Sequence, residues 1–513
     1  MHLFDCNCML GPTNTGREPP FLTVGDLLAE MDRVGIEEAL IHHACAVQAH
    51  PEYGNQRLLD EIAGQPRLHP AWVLLPPGPE ELGPTDRLID NMRDAGVGAA
   101  FMYPALHDYR LTIDVLGDLL AALEAAQIPL FVNTGRGHWS EITIDWDAVM
   151  AICRRHPGLH VTLLHEGGTT QRALFARWPE LPNLHLDTCY FQMPEPIAGV
   201  CDRFGAGRLL FGTGMPTTDP GGPIHTLRAA QVDDATRAAV AGDNLRTMIG
   251  LAPKGEGWLE PWPCGASGFR VFDIHGHLGR WEMVHSPVGR AEEIVAAMDR
   301  VGIETVVLSD FIAIGPAFGE GNARVAAAMR QFPGRILGYG AYNPNYAAEM
   351  ADEMRRCLDE YGVAGLKVHC GAHATKITDE RYRPVFTLAN ERGLPVLVHG
   401  NPPVEWLDQL LSEHPDMHFL LAHRGGAVID ENDTIVALGR VRPNLIFDLT
   451  ASTCHRGYLA WLVGQIGPDQ ICYGSDFPLM DFGYQLGRVL GADISDDDKR
   501  EILYDNAARI FRR

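Results

Sequence analysis

Two histidines one residue apart, His275 and His277, close the run Phe272-Asp273-Ile274-His275-Gly276-His277. On an extended strand, residues i and i+2 point to the same side, so both imidazoles can address one point. Neutral imidazole is a common ligand for zinc and related divalent ions. Taken alone, the pair reads equally well as two polar residues at a strand end. The rest of the same half of the chain decides between these readings, because Lys367, His399, His423 and Asp476 each close or follow a further apolar run.

Those runs define the elements that must position the chemistry. Candidate strands are Arg270–Ile274, Thr305–Ser309, Ile336–Ala341, Gly365–His369, Pro395–His399, His418–His423, Leu445–Leu449 and Ile471–Ser475. Amphipathic helical patterns lie between them, for example Ala291–Val301, Ala347–Tyr361 and Val404–His414, and Ser495-Asp496-Asp497-Asp498 has the acidic character of a helix N-terminus. Eight strands alternating with helices fit a closed parallel (β/α)8 barrel. An open doubly wound sheet is the alternative, but no glycine-rich fingerprint follows the first strand. A barrel places its chemistry at the C-terminal ends of its strands. His275, His277, Lys367, His399, His423 and Asp476 are therefore expected at one mouth.

The chain is this plan written twice. Met31-Asp32-Arg33-Val34-Gly35-Ile36-Glu37 recurs without change at 298–304. Phe4-Asp5-Cys6-Asn7-Cys8-Met9 aligns with 272–277, Pro129-Leu130-Phe131-Val132-Asn133 with 395–399, Leu164-His165-Glu166-Gly167-Gly168 with 422–426, and Phe211-Gly212-Thr213-Gly214-Met215-Pro216 with 473–478. The repeat is roughly 250 residues long, the size of one such barrel. The expected architecture is two tandem (β/α)8 barrels, at 1–252 and 269–513, joined by a glycine- and proline-rich linker at 253–268.

The motifs Asp273-x-His275-x-His277, Gly365-Leu366-Lys367, Pro395-Val396-Leu397-Val398-His399, Ala422-His423-Arg424-Gly425-Gly426 and Gly474-Ser475-Asp476-Phe477-Pro478 resemble the amidohydrolase superfamily, in its branch of metal-dependent decarboxylases and lactonases. The resemblance spans the whole second half. It implies that His275, His277, His399 and Asp476 ligate one divalent metal, zinc first and manganese second, with His423 opposite as an acid/base or electrophilic residue. Such a ligand set leaves an exchangeable position, where a water's pKa falls from about 15.7 towards about 7. Asp476 can then accept that water's proton while His423 protonates or polarises the substrate. The expected function is thus a metal-dependent hydrolase of a small carboxylated, lactone or amide substrate. The alternative is a non-oxidative decarboxylase of an aromatic or muconate-like acid, in which Asp476 or His423 manages the incoming proton. A non-catalytic scaffold is the third reading. Lys367 is expected to bind an acidic substrate or steady the site, with a plain salt bridge as the equal alternative and a carboxylated lysine bridging two metals as the third use of that position.

At the corresponding strand ends the first half carries Asn7, Met9, Phe101, Asn133, His165 and Gly214. Asn, Met and Gly do not make the deprotonated ligand set that a divalent ion wants, so this copy reads as degenerate. A thiolate site from Cys6, Cys8, His165 and Cys189 is the alternative, against the usual fate of free cysteine as inert core. Enzymes resembling the second half often complete their pocket with an arginine from a neighbour. The degenerate copy could take that part within one chain as a pseudo-dimer, through Arg172 or Arg177.

Bulk properties narrow the partners. The 513 residues are 46% hydrophobic and 21% charged, a globular composition, with a net charge of −24. The acidity disfavours nucleic acid and anionic membrane and favours a soluble protein. The expected partner is a small-molecule substrate, acidic on the reading of Lys367, with homo-oligomer formation left open. No run is apolar enough to span a bilayer, and the start lacks a signal peptide. The 11 cysteines therefore read as reduced thiols of a cytoplasmic protein.

Overall fold

The computed structural model describes residues 1–14, 19–135, 145–166, 170–255, 257, 268–426, 429–430, 432–453 and 455–512. The chain divides into two compact units, Met1–Gly265 and Ala266–Arg513. Most of the expected linker lies outside the described residues, as do Gly167 and Gly168 of the repeated motif.

Each unit is a parallel eight-stranded sheet with its strands in sequence order. In the first, β1 is Phe4–Leu10, β2 Glu38–His43, β3 Leu68–Val73, β4 Ala99–Met102, β5 Leu130–Asn133, β6 Val161–Leu164, β7 Leu184–Asp187 and β8 Leu209–Leu210. In the second, β9 is Phe272–Leu278, β10 Thr305–Asp310, β11 Ile336–Ala341, β12 Gly365–His369, β13 Pro395–His399, β14 His418–Leu421, β15 Leu445–Asp448 and β16 Ile471–Cys472. Closure comes from backbone bonds between the first strand and the segment around and after the eighth. Cys6 N donates to Phe211 O at 2.9 Å and Met9 N to Met215 O at 2.8 Å; Ile274 N donates to Tyr473 O at 3.1 Å and His277 N to Phe477 O at 2.7 Å. Both units are (β/α)8 barrels. Their strands are buried along nearly their whole length, as parallel strands covered by helices must be.

The identical heptad explains why so much of the plan persists. In both copies it ends a helix, Val24–Val34 or Ala291–Val301, at a glycine in the left-handed region, Gly35 at φ 79° and Gly302 at φ 82°. That conformation turns the glycine N–H back to the buried methionine, Met31 or Met298, and the Ile36 and Ile303 amides reach the same carbonyls at 2.8 and 3.0 Å. Asp32 and Asp299 pair with Arg67 and Arg335 at 2.7 and 2.6 Å. The same guanidinium groups bond the Glu37 and Glu304 carbonyls at 2.8 Å in each barrel. The repeat is therefore a helix stop and a strand entry, conserved between the copies by packing rather than by catalysis.

The structure moves several strand ends, three of them at the site. The first strand of the second barrel starts later and carries both histidines inside it, β14 stops at Leu421, and β16 stops at Cys472. His423 and Asp476 lie beyond the sheet with φ of 63° and 61°, a left-handed conformation that cannot continue a ladder. Asp476 is still tied to the first strand, its N–H donating to His275 O at 2.7 Å.

Candidate metal centre

At the mouth of the second barrel, His275, His277 and Asp476 each offer a ligand atom within 4.8 Å of the others, and all three are buried. His277 Nε2 lies 2.8 Å from Asp476 Oδ1 and His275 Nε2 lies 3.5 Å from the same oxygen. The pleat alone does not produce this. Register slips between Val306 and Leu308 against β9, a bulge beside Ile274 and His275. Gly276 is required between the histidines, since a Cβ there would sit 2.8 Å from Leu308 and 2.9 Å from Val306.

Each imidazole is oriented from behind. His275 Nδ1 lies 2.7 Å from Asp448 Oδ2, and Asp448 is itself fixed by the Thr450 hydroxyl at 2.7 Å and amide at 3.0 Å. His277 Nδ1 lies 3.0 Å from Ser309 Oγ, and its ring stacks on Phe311 at 4.4 Å. Asp273 accepts from the His275 amide at 2.8 Å, from the Ser475 amide at 3.1 Å and from the Ser475 hydroxyl, so one buried carboxyl group ties β9 to the segment carrying Asp476. A ligand histidine whose outer nitrogen is held by a carboxylate or hydroxyl is the usual build of a metal centre.

His399 stands outside this tight group. Its Nδ1 lies 3.1 Å from His423 Nε2, and its ring packs on His369 at 3.9 Å. His423 is close to the group, its ring centroid 5.1 Å from that of His275. Lys367 is buried at 1% exposure with Nζ 3.2 Å from His275 Nε2. Trp281 stacks on Phe311 at 5.7 Å and meets the edge of His369 at 6.2 Å. Arg280 is spent on its own loop, bonding the Ser286 and Pro287 carbonyls. In the first barrel Arg177 is half-buried and bonds the Ala173 carbonyl at 3.3 Å.

Burial sets the charges. It pushes the His275, His277 and His399 imidazoles down, with Lys367 adding repulsion, so all three stand neutral with lone pairs available. It lowers His423 to about 4 and the Lys367 ammonium to about 8. For Asp476 burial acts upward, but the facing His275 and the His277 hydrogen bond outweigh it and hold the carboxyl well below its ordinary range. The arrangement is two neutral nitrogens and a carboxylate converging on one point, with a buried amine and a further imidazole beside it.

Sequence reasoning named every member of that group but missed Asp448, Ser309 and Phe311. Asp448 had a signal: the aspartate at this strand end is kept in the first copy as Asp187, where the histidine it braces is not.

The amidohydrolase family model matches residues 12–251 and 270–513, one match on each barrel, and the chain belongs to that family. It is similar to the gamma-resorcylate decarboxylase of Rhodococcus jostii, 21% identical over 280 residues, covering 42% of this chain and 85% of the relative. It is also similar to the gamma-resorcylate decarboxylase of a Rhizobium species, 22% identical over 293 residues, covering 45% of this chain and 90% of that one. Among solved structures, a 2,6-dihydroxybenzoate decarboxylase in complex with 2,6-dihydroxybenzoate matches 48% of this chain and all of its own length, at 15% identity and a TM-score of 0.38. The two gamma-resorcylate decarboxylases overturn the expectation of hydrolysis. Ligands that activate water also suit other reactions, so the ligand set alone could not choose the chemistry. Among the described residues no helix is long and apolar enough to cross a membrane.

Proposed function

We propose that the second barrel is a metal-dependent, non-oxidative decarboxylase of a hydroxylated aromatic acid. The supporting observation is the convergence of His275, His277 and Asp476 in a chain similar to two gamma-resorcylate decarboxylases. The residues fit a divalent cation, because two buried neutral imidazoles, each braced at its outer nitrogen, face a carboxylate. His275, His277 and Asp476 would hold it, with His399 beside them as the further donor. When bound, a divalent cation supplies Lewis-acid stabilisation of negative charge on substrate oxygen, and manganese and zinc both accept this donor set.

The reaction exchanges a ring carboxylate for a proton. The bond to the carboxyl carbon breaks, carbon dioxide leaves, and the electron pair left on the ring carbon takes up a proton. His423, whose ring lies 5.1 Å from that of His275, and Asp476 are the two groups placed to pass that proton to the ring carbon. Lys367 contributes positive charge to an acidic substrate. Its lowered pKa leaves the ammonium the larger fraction at pH 7.

The test is turnover of 2,6-dihydroxybenzoate by the full chain loaded with manganese or zinc. Carbon dioxide release in heavy water, with deuterium at the vacated ring carbon, is the expected outcome. Asp476→Asn should slow it by about 10²–10⁴-fold. Full activity in that variant rejects the role of Asp476. No turnover of any hydroxylated aromatic acid by the metal-loaded chain rejects the reading.

A further inference from the structure

The described residues hold a second group of ligating side chains, in the first barrel. His165, Asp187 and Cys189 bring a ring nitrogen, a carboxylate oxygen and a thiol sulfur within 4.8 Å of one another. The elements that carry them are fixed. His165 follows β6 in the left-handed region at φ 62°, and its amide donates to Asp187 Oδ1 at 3.1 Å. Asp187 ends β7. Cys189 follows on a segment pinned through Thr188, whose amide donates to Leu210 O at 3.0 Å and whose hydroxyl accepts from the Gly212 amide at 3.1 Å. Asn7 donates to Asp187 Oδ2 at 3.0 Å, and its amide nitrogen lies 4.0 Å from the Cys189 sulfur.

The group is built from what the mouth lost. The braced histidine is replaced by Asn7, which bonds Asp187 Oδ2 but brings no ring nitrogen to the mouth. The threonine at position 450 of the second barrel has Cys189 as its counterpart. Asp476 has Gly214 as its counterpart, and a Cβ there would lie 3.1 Å from His165 Nε2, so the glycine leaves that nitrogen clear. A second, separate feature adjoins it. His42 is 2% exposed, and burial lowers its imidazole to about 3, so it stands neutral; its Nε2 lies 2.6 Å from the Tyr103 hydroxyl, while Nδ1 has no hydrogen-bond partner among the described residues. A buried imidazole nitrogen without a partner is costly and asks for an occupant nearby.

We propose that the first barrel binds its own thiophilic divalent ion, zinc by the chemistry of its donors, on His165, Asp187 and Cys189. One nitrogen, one oxygen and one sulfur ligand leave a fourth position open, as in zinc sites that accept water or a small ligand. The sulfur separates this site from the oxygen- and nitrogen-only group of the second barrel. Of the thiolate set that sequence offered, His165 and Cys189 belong to the group. Cys6 packs into the barrel core with Phe4 and Leu40.

The experiment uses the full chain carrying His275→Ala and His277→Ala, so that the second barrel's group is dismantled. The stripped protein is titrated with zinc alone and, separately, with cobalt. Retention of a zinc equivalent per chain and a thiolate-to-cobalt absorption band is expected. Cys189→Ser in that background should abolish the band, and Cys201→Ser, on the helix Pro196–Phe204, should leave it intact. If Cys189→Ser does not fold, His165→Gln should lose the zinc instead. A chain with no zinc left after the His275 and His277 substitutions, or a cobalt spectrum without a thiolate band, overturns the site, whatever the decarboxylase assay shows.

Discussion

The two barrel mouths share a frame and differ in what faces the centre. Asp5 bonds the Thr213 amide and hydroxyl in the first, as Asp273 bonds those of Ser475 in the second. Burial raises the two carboxyls to about 7 and about 8 respectively. The residues after β6 and β14, His165 and His423, are left-handed within a degree of each other. Over this frame, His275 and His277 stand where the first copy has Asn7 and Met9, and Lys367 and His369 stand where it has Phe101 and Tyr103. The same buried aspartate consequently does two jobs. Asp448 orients an imidazole, whereas Asp187, relieved of that imidazole, stands among His165 and Cys189. The difference teaches that the barrel specifies where side chains converge, and that a handful of substitutions decides what converges there.

The harshest way to break the comparison is to write the first mouth into the second. His275→Asn with His277→Met should remove the second barrel's metal and reduce decarboxylation to background, read by metal content and carbon dioxide release. The barrel itself should stay folded, because the first copy carries these residues at the same strand positions. Collapse of the fold would show instead that the histidines are structural.

A smaller effect separates the two aspartates. Asp448→Asn keeps the shape but weakens the hold on His275, and should cost about 10–100-fold in metal affinity or activity. Asp187→Asn should leave decarboxylation untouched, since its group lies in the other barrel. Equal losses from both variants would contradict the division of labour between the copies.

Much of this was legible from residues alone. The duplication, the alternation of strands and helices, and the strand-end histidines all follow from period and position, and these set the fold. The missing parts depend on departures from regular geometry. The bulge beside Ile274 and His275 and the left-handed residues His423 and Asp476 leave no mark in hydrophobic pattern, so strand ends were misplaced by a few residues. Simple alternation put Cys6 and Cys8 on one face, but the register slips between Asp5 and Cys8, and Cys6 packs with Phe4 in the core. The brace of Asp448 was hidden because one aspartate at a strand end looks ordinary until its partner, 173 residues earlier, is placed beside it.

The frame itself can be tested in both halves at once. Ser475→Ala and Thr213→Val each remove a hydroxyl donor from a buried carboxyl and should cost roughly 1–3 kcal/mol. Hydrogen exchange, read on peptides from each barrel, should show loss of protection confined to the substituted barrel and similar in size in both. A much larger loss in the second barrel would mean that its frame carries strain from the site above it.

The smallest effect lies at the helix that each repeated heptad ends. In the first barrel Asp26 accepts from the Thr23 amide at 2.9 Å; in the second, Glu293 accepts from both the Gly289 and Arg290 amides at 2.9 Å. The longer side chain reaches one more donor. The Arg290 amide bond leads in drawing the Glu293 carboxyl down to about 2, against a weaker upward push from burial. Glu293→Ala should therefore destabilise by a few tenths to about 1 kcal/mol at neutral pH. The sign with pH follows from the lowered folded-state value. The contribution is complete above the ordinary carboxyl value of 4.5 and is lost as pH falls towards about 2, because the unfolded chain takes up the proton first. Denaturant midpoints of the native chain and the variant should converge as pH drops from 7 to 3. A gap that stays constant would assign the contact to packing rather than to charge at the helix N-terminus.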